Sequence, residues 1–303
     1  MIPYLSDAEV RAALSWDELI PTMERALTAL SAGSVVQPLR EWLTVEKGER
    51  YWGLMPASAA DAMGVKLVSL YPANAGTRVP TVIALVILFR RDTGEPLALL
   101  DGSALTAMRT AAVSAAVTRR LAAPESAALA LLGSGVQAAT HLAALKHVRA
   151  FREIRVWSRT PEHARRFARE HGAIAMDAES AVRGADVVVT ATPAREPILH
   201  GAWLKPGALV NAIGAPMPDW RELDDAAMAN VVVVESREAA SEESGDVMRS
   251  RARIHAEVGE IFAGTKSVPP GATTVFKSVG VAVEDVFAAQ LAFERARART
   301  AAA

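Results

Sequence analysis

The chain has 303 residues, and at roughly 100–200 residues per domain this length predicts two domains. Hydrophobic residues make up 51% and charged residues 22%, a balance typical of folded globular proteins that excludes a disordered chain. Lysine and arginine number 33 against 34 acidic residues, and the formal net charge of −1 disfavours a nucleic-acid binder. The lack of cysteine excludes disulfides, thiolate metal sites and cysteine nucleophiles. The longest apolar run, residues 82–89, is too short to span a membrane, so we expect a soluble cytoplasmic protein without membrane or nucleic-acid partners.

The first third of the chain predicts helices followed by a run of short strands. Ser6 and Glu9 have the spacing of a capping box ahead of a helix, and residues 16–30 have apolar side chains at helical intervals. Turn residues separate the strands that follow, which are predicted at residues 40–45, 51–55, 64–70, 81–89 and 97–100. Strands that succeed one another without intervening helices indicate an antiparallel or mixed sheet.

Beyond residue 102 the pattern changes to alternating helices and strands. An alanine-rich helix is predicted at residues 105–122, and a last helix at 283–297 after a strand at 273–277. Between them, helices at 136–148 and 161–171 alternate with apolar strands, which are predicted at residues 127–132, 154–157, 187–192, 208–213 and 231–235. Apolar strands separated by helices are typical of a parallel sheet covered on both faces. The predicted fold class is therefore α/β, with a parallel-sheet domain beside an α+β domain.

The segment Gly133-Ser-Gly135-Val136-Gln137-Ala138 is a G-x-G-x-x-A motif directly after an apolar strand and directly before a helix. Gly133 permits a tight turn, Gly135 lets a pyrophosphate approach the backbone, and Ala138 lets the helix pack closely on the strand. The N–H groups at the helix N-terminus favour bound phosphate. In this strand–turn–helix context the motif predicts a Rossmann-type dinucleotide site, against the alternative of an ordinary glycine turn.

The next strand ends at Trp157, where an NAD site usually places an acidic residue that accepts a hydrogen bond from the ribose 2′-hydroxyl. Ser158, Arg159 and Thr160 follow instead, and their hydroxyls and guanidinium can hold a 2′-phosphate. NADPH is therefore the predicted cofactor, with NADH as the alternative. The competing interpretation of Arg159 is a solvated arginine at the start of a helix.

Six segments along the chain together resemble one protein family. They are TAMRTAAVS at 106–114, GSGVQA at 133–138, VWSRT at 156–160, VNAIGA at 210–215, ESREAASEESGD at 235–246 and TVFKSVG at 274–280. In this order they resemble the ornithine cyclodeaminase/mu-crystallin family over nearly the whole chain. PDWRELDD at 218–225 and AEVGE at 256–260 are most similar to its mu-crystallin, or ketimine reductase, branch.

The resemblance implies a Rossmann-type dinucleotide-binding domain inserted between two parts of a substrate and dimerisation domain. The first part of the substrate domain is predicted at residues 1–112 and the dinucleotide domain at 113–282. A C-terminal helix at 283–303 is expected to return to the first domain, so that this α+β domain is built from both chain ends. The resemblance also implies a homodimer and a small imino or amino acid as the substrate.

The resemblance places four charged residues at the substrate site: Arg40, Lys66, Arg109 and Glu257. Arginine suits a carboxylate because its planar guanidinium forms two parallel hydrogen bonds. From spacing alone, Lys66 in its apolar segment fits an inward-facing functional lysine and a snorkelling edge residue equally well, and its family position favours the former. Lys66 is the first candidate for the proton donor and Glu257 the second, although Glu257 is also explained as a helix-surface carboxylate.

The predicted cofactor residues combine the glycine turn and the end of the next strand with positions implied by the resemblance. They are Thr81, Arg109, Thr110, Gly133, Gly135, Val136, Gln137, Ser158, Arg159, Thr160, Thr192 and Ile213. The six histidines show no spacing typical of metal ligands, so no metal site is predicted.

One position departs from the ornithine cyclodeaminase branch, which carries a functional aspartate shortly after the Asn-Ala-Ile-Gly segment. Pro216 occupies that position here and has neither an exchangeable proton nor an acceptor side chain, and Asp219 is a weaker substitute. We therefore predict NADPH-dependent reduction of cyclic ketimines, of the 1-pyrroline-2-carboxylate or 1-piperideine-2-carboxylate type, to cyclic amino acids. The alternatives are ornithine cyclodeaminase, which forms L-proline and ammonia from L-ornithine, an amino-acid dehydrogenase, and a non-enzymatic binding or structural protein that holds NADPH.

Overall fold

The computed structural model of the protein describes residues 2–47, 50–60, 62–74 and 77–302. Two compact units divide the chain. One takes in the residues up to Arg109 together with those from Val281 onward, and the other is Thr110–Gly280. Compact units are not the same as functional domains, so the functional domains predicted at 1–112, 113–282 and 283–303 stay a prediction.

Helices and strands follow one another along the chain as the sequence patterns indicate, with several short additions. Up to the first unit boundary they are β1 (Tyr4–Leu5), α1 (Asp7–Ala13), α2 (Trp16–Ser31), β2 (Glu41–Glu46), β3 (Arg50–Ser58), β4 (Met63–Leu70), β5 (Val82–Phe89), β6 (Pro96–Asp101) and α3 (Gly102–Leu121), which crosses it. Beyond α3 they are β7 (Ala128–Leu132), α4 (Val136–Val148), β8 (Glu153–Trp157), α5 (Pro161–His171), β9 (Ile174–Ala175), α6 (Ala178–Val182), β10 (Val187–Thr190), β11 (Leu209–Ala212), α7 (Asp225–Met228), β12 (Val231–Val234), α8 (Arg237–Glu243), α9 (Gly245–Ser250), β13 (Ile254–Glu257), α10 (Val258–Phe262), β14 (Thr274–Lys277) and α11 (Ala282–Ala302).

The first unit is built on a six-stranded mixed sheet in the order β1-β6-β5-β4-β3-β2. All neighbouring strands are antiparallel except β1 and β6, so the predicted antiparallel or mixed sheet is confirmed. Helices α1 and α11 pack on one face of this sheet, and side chains of alternate strand residues, such as Val86 and Leu100, are fully buried there. The capping box ahead of α1 is also confirmed, because the N–H of Ser6 donates to Glu9 (2.8 Å) and the N–H of Glu9 donates to Ser6 Oγ (3.4 Å).

The second unit is built on an eight-stranded sheet in the order β13-β12-β14-β11-β10-β7-β8-β9, with every neighbouring pair parallel. Its central strands bury valines on the side of a shared apolar core, for example Val188, Val210 and Val275. The predicted α/β fold class with a parallel sheet is therefore confirmed. β10 ends at Thr190, two residues before the predicted end. The backbone N–H of Thr192 donates to the carboxylate of Glu222 and not to a neighbouring strand.

No helix in the described part of the chain is long and apolar enough to cross a bilayer. The same part of the chain contains no group of three or more His, Asp and Glu side chains that could hold a metal ion. The predicted compartment and the predicted lack of a metal stay predictions.

Candidate active site

Lys66 lies in the middle of β4, on the face of the sheet that α11 covers. Its side chain is buried, and its Nζ is 2.5 Å from Oδ2 of Asp285, in the first turn of α11. Burial lowers the pKa of Lys66 to about 8; the carboxylate of Asp285 opposes this shift, whereas the charges of Arg109 and Arg40 add to it. Lys66 therefore keeps its proton at neutral pH but releases it more readily than an exposed lysine.

Arg109, on α3, is held by two acidic residues of α11. Its Nε donates to Oδ1 of Asp285 (2.9 Å) and its Nη1 donates to Oε2 of Glu284 (2.6 Å), and both carboxylates are fully buried. Burial raises the pKa of Asp285, but the charges of Arg109 and Lys66 outweigh this effect and leave the pKa below its usual value. Asp285 is therefore ionised and bridges the two cations.

Arg40 lies immediately before β2, with its guanidinium carbon 5.4 Å from the ring centroid of Trp42. Its charge is close enough to Lys66 to contribute to the lowered pKa of that lysine. Arg40, Lys66 and Arg109 are thus brought together in the first unit. The sequence analysis missed Glu284 and Asp285, although two adjacent acids inside the apolar run 282–289 were an available signal.

Glu257, the fourth predicted substrate residue, belongs to the second unit. It is the last residue of β13, where its Oε1 accepts a hydrogen bond from the backbone N–H of Arg237 (2.9 Å) and lies 3.6 Å from Nη1 of that arginine. Asp219 is exposed and forms an ion pair with Arg195 (3.1 Å). The catalytic roles suggested for Glu257 and Asp219 stay predictions, and both carboxylates have structural partners.

The glycine motif forms the predicted turn between β7 and α4. Gly133 has a φ of +127°, and a Cβ at this position would come within 2.6 Å of the carbonyl oxygen of Ala191. A Cβ on Gly135, the N-cap of α4, would have no neighbour within 4 Å among the described residues, and Gly135 is exposed, so the N-terminus of the helix is accessible. Ala138, on α4, is buried. This open, donor-rich turn fits the diphosphate of a dinucleotide.

The segment after β8 is accessible in the second unit. Ser158 is half-buried, whereas Arg159 and Thr160 are exposed directly before α5. Arg159 makes no hydrogen bond or ion pair with any residue in the described ranges, so its guanidinium is available to an anion. Of the other predicted cofactor residues, Ile213 follows β11, Thr110 is the first residue of the second unit, and Thr81 precedes β5 in the first unit.

Glu222 is fully buried behind the residues that follow β10. Its carboxylate accepts three hydrogen bonds, from Thr190 Oγ1 (2.7 Å), the Thr192 N–H (2.7 Å) and Thr192 Oγ1 (2.6 Å). Burial raises the pKa of Glu222 to about 7; Lys277 opposes this shift and Asp246 adds to it. The sequence analysis did not single out Glu222 as a functional residue.

Lys277, the last residue of β14, is fully buried beside Glu222. Its Nζ is 3.0 Å from Oδ2 of Asp246 and donates a hydrogen bond to the carbonyl oxygen of Gly214, after β11. The other oxygen of Asp246 accepts from the backbone N–H groups of Glu222 (2.8 Å) and Leu223 (2.9 Å). These contacts make Glu222, Asp246 and Lys277 one buried charged cluster.

Together these features define a protein of two units, one with a parallel sheet and an open glycine turn that fits a dinucleotide, and one with the buried cations Lys66 and Arg109. The profile of the ornithine cyclodeaminase/mu-crystallin family matches residues 4–300, and the chain belongs to this family, as the sequence segments predicted. It is 47% identical over 301 residues to the ketimine reductase mu-crystallin of Mus musculus, covering 96% of each chain.

Two solved structures are similar over almost the whole chain. The Delta(1)-pyrroline-2-carboxylate reductase of Thermococcus litoralis, in complex with NADH and L-proline, has a TM-score of 0.93 and 36% identity, with 99% of this chain and 98% of that chain covered. An archaeal alanine dehydrogenase dimer with bound NAD has a TM-score of 0.92 and 31% identity, with 99% and 97% covered.

Proposed function

We propose that this protein is an NADPH-dependent reductase of cyclic ketimines, of the 1-pyrroline-2-carboxylate or 1-piperideine-2-carboxylate kind, that forms the corresponding cyclic amino acids. The observation that carries this proposal is the pair of buried cations Lys66 and Arg109, held by Asp285 and Glu284, with the partly buried Arg40 close to Lys66. The similar Thermococcus reductase was solved with L-proline, which is the reduced form of 1-pyrroline-2-carboxylate.

The charges of the cluster suit a substrate with one carboxylate. Arg40, Lys66 and Arg109 carry three positive charges, against two negative charges on Glu284 and Asp285. The surplus positive charge matches a single substrate carboxylate beside the buried side chains of Lys66 and Arg109. Because both acids fix the guanidinium of Arg109, its orientation is set before the substrate binds.

Reduction of the C=N bond adds a hydride to carbon and a proton to nitrogen, so that a secondary amine forms. A bound nicotinamide nucleotide supplies the hydride. Lys66 is the proposed proton donor, because its ammonium is positioned by Asp285 and its pKa of about 8 is close to neutrality. Glu257 remains the second candidate for this role.

For the cofactor we propose NADPH in preference to NADH. Gly133, Gly135 and the N-terminus of α4 would hold the diphosphate, and the segment that follows β8 would meet the ribose. That segment offers Arg159 and two hydroxyls rather than an acid, which supports a 2′-phosphate. NADH, present in the Thermococcus structure, is the alternative.

An amino-acid dehydrogenase is the second candidate function. The similarity to the archaeal alanine dehydrogenase supports it, since that similarity covers 99% of this chain. Such an enzyme would take an open-chain 2-oxo acid with ammonia instead of a cyclic ketimine. Ornithine cyclodeamination is disfavoured by Pro216, and a non-enzymatic protein would bind NADPH without reducing any imino acid.

We also propose that the protein is a homodimer, formed through the face of the first unit's sheet that α1 and α11 leave uncovered. Apolar side chains stand there in cross-strand rows, Leu54–Leu67–Leu85 and Val65–Ile87–Leu99, and all are only partly buried. An apolar patch of this kind is typical of a protein interface. The similar archaeal alanine dehydrogenase is a dimer.

The test is a panel of substrates offered to the purified protein with NADPH and with NADH. We expect fast NADPH oxidation with the cyclic ketimines, slower oxidation with NADH, and little activity with pyruvate plus ammonia. Preference for pyruvate and ammonia would establish the dehydrogenase instead. Binding of NADPH without oxidation by any imino acid would leave the non-enzymatic alternative.

A further inference from the structure

The segments that follow β7, β10 and β11 lie side by side at the carboxyl ends of these three adjacent parallel strands. They form one continuous edge of the second unit. The Ala191 N–H donates to the carbonyl of Leu132 (2.8 Å), so the segment after β10 lies directly against the Gly133 turn. A Cβ on Gly214 would lie 2.5 Å from Oε1 of Glu222, which places the segment after β11 against the same carboxylate. Ligands of such sheets bind outside the carboxyl ends of the strands, so the nicotinamide end of a dinucleotide held at the Gly133 turn would lie along this edge.

The buried carboxylate of Glu222 holds the backbone of this edge in place. It binds Thr192 through both the backbone N–H and the hydroxyl, so Thr192 is held at two points. Ala215 has a left-handed φ of 53°, a conformation that is costly for a residue with a Cβ. Its N–H donates to the carbonyl of Thr192 (3.3 Å), and Lys277 holds the neighbouring Gly214 carbonyl. The buried cluster thus sets the backbone of both segments.

The charged groups that face Glu222 are Lys277, on β14, and Asp246, on α9; the hydroxyls of Thr190 and Thr192 complete its surroundings. Lys277 and Asp246 form an ion pair and offset each other, so an ionised Glu222 gives the cluster its net negative charge. Hydride donation converts a neutral nicotinamide ring into a cation. A negative charge just behind the edge stabilises the cation and has little effect on the neutral ring.

Resting on the proposed function, we propose that Glu222 is a positioning residue for the nicotinamide end of the cofactor. It holds the segments after β10 and β11 together and, through Thr192, favours the oxidised nucleotide over the reduced one.

The experiment measures Kd for NADP⁺ and for NADPH by titration without an imino acid, in the wild-type protein and in Glu222→Gln, at about pH 6 and about pH 8. The 2′-phosphate also titrates in this range, but it is common to both nucleotides and cancels in the ratio of the two Kd values. We expect the wild-type preference for NADP⁺ over NADPH to grow with pH as Glu222 ionises. Glu222→Gln should reduce this preference at the higher pH on the order of tenfold and remove its pH dependence.

Asp186→Asn is the matched control. Asp186 precedes β10, at the amino end of the strand. There it accepts hydrogen bonds from the N–H groups of Ala127 (2.7 Å) and Ala128 (2.8 Å). This acid-to-amide change should leave the ratio of the two Kd values as in the wild type. A change in the ratio as large as that in Glu222→Gln would overturn the inference.

Equal weakening of both nucleotides by Glu222→Gln would mean a purely structural role and would also overturn it. Should that variant fail to fold, Thr192→Val decides, because it removes one of the two hydrogen bonds by which Glu222 holds Thr192: a reduced preference for NADP⁺ supports the inference and an unchanged one refutes it. Only this inference fails if the wild-type protein reduces ketimines but the variants have the same ratio of the two Kd values as the wild type. If it binds no nicotinamide nucleotide, the proposed function fails as well.

Discussion

Three side chains after β8 bear on the choice between NADPH and NADH. Arg159 is exposed and without a protein partner in the described part of the chain, so it can form charge-assisted hydrogen bonds to a 2′-phosphate. Such bonds are worth roughly 1.5–3 kcal/mol, so Arg159→Ala should raise KM for NADPH on the order of tenfold to a hundredfold and leave KM for NADH nearly unchanged. Ser158→Asp should go further, because its carboxylate repels the phosphate and accepts from the ribose hydroxyl of NADH. Steady-state kinetics with both nucleotides check this.

Arg166→Ala supplies the control for nucleotide selectivity. Arg166 is exposed on α5, so its loss removes a similar charge without touching the segment after β8. We expect KM for both nucleotides to stay within about twofold of the wild type, as for an ordinary surface change. The selectivity argument is wrong if Arg159→Ala and Ser158→Asp both keep the wild-type preference for NADPH.

Lys66 should give the reaction a characteristic pH dependence. Its pKa is about 8, and the protonated form is the proposed donor, so kcat/KM should fall as pH rises through this value. Lys66→Met should lower kcat/KM by roughly 10²- to 10⁴-fold and remove that fall. Lys66→Arg keeps the positive charge but not the readily released proton, so it should recover KM more than kcat. A Lys66→Met enzyme with the wild-type rate and pH profile would assign proton donation to another group.

The same titration links Lys66 to stability. Between about pH 8 and pH 10.5, the folded protein binds fewer protons at Lys66 than the unfolded chain does, because the pKa of Lys66 is lower in the folded state. The contribution of Lys66 to the free energy of unfolding therefore rises with pH across this range. It has its lowest value below about pH 8. The difference between wild type and Lys66→Met in urea unfolding should follow this rise, and a pH-independent difference would contradict it.

The sequence singled out the basic residues of the cluster around Asp285 because each carries a local signal, and their role in substrate binding stays a prediction. Lys66 interrupts an apolar strand, and Arg109 lies in a family segment. Their acidic partners were not predicted, since Asp285 is separated from Arg109 by 176 positions and only the packing of α11 on the sheet joins them. The polar partners of Glu222 are likewise distant in sequence, and hydrogen bonding to Thr190 and Thr192 is a product of the sheet order.

At the scale of elements, the first turn of α11 is the critical segment of the first unit. Asp285→Asn keeps the shape of the side chain but leaves Lys66 and Arg109 without their shared negative charge. Removing one partner from a buried ionic network typically costs about 3–5 kcal/mol, so the free energy of unfolding should fall by about this amount. The pKa of Lys66 should also fall further, which would move the loss of activity to lower pH. Urea unfolding and the pH–rate profile measure both effects.

Glu294→Gln, on the same helix, is the control for this change. Glu294 is exposed and hydrogen-bonded to Gln290, so its neutralisation should change the free energy of unfolding by no more than about 0.5 kcal/mol. If Asp285→Asn were equally mild, the negative charge at position 285 would not be what stabilises the two cations.

Long apolar strands and helices were predicted well because their periodicity and flanking turns are local properties. The short edge strands β1, β9 and β13 were missed, since two to four residues give no periodic pattern. The end of β10 was misplaced for a different reason: residues 187–192 are uniformly suited to a strand, but Glu222 draws Thr192 out of the ladder.

For the whole molecule, the sequence predicted a parallel sheet but not its strand order. β14 lies between β11 and β12 although it follows both in the chain, and this insertion brings Lys277 beside Gly214. The chain returns to the first unit at Val281. A C-terminal helix at 283–303 that returns to the first domain was expected from the family resemblance alone and stays a prediction. Strand order and chain return depend on which surfaces bury one another, and local patterns do not encode that choice.

The quaternary structure can be tested at the centre of the uncovered sheet face. Leu67 lies between Leu54 and Leu85 on neighbouring strands, so Leu67→Glu places a charge in the middle of an apolar row. In a dimer this carboxylate would be buried without a partner, at a cost large enough to favour monomers, whereas in a monomer it would face water. Sedimentation equilibrium should therefore give a dimer for the wild type and a monomer for Leu67→Glu. Ile174→Glu, at an exposed position on β9, should remain dimeric. A monomeric wild type, or a Leu67→Glu variant that stays dimeric, would exclude this face as the interface.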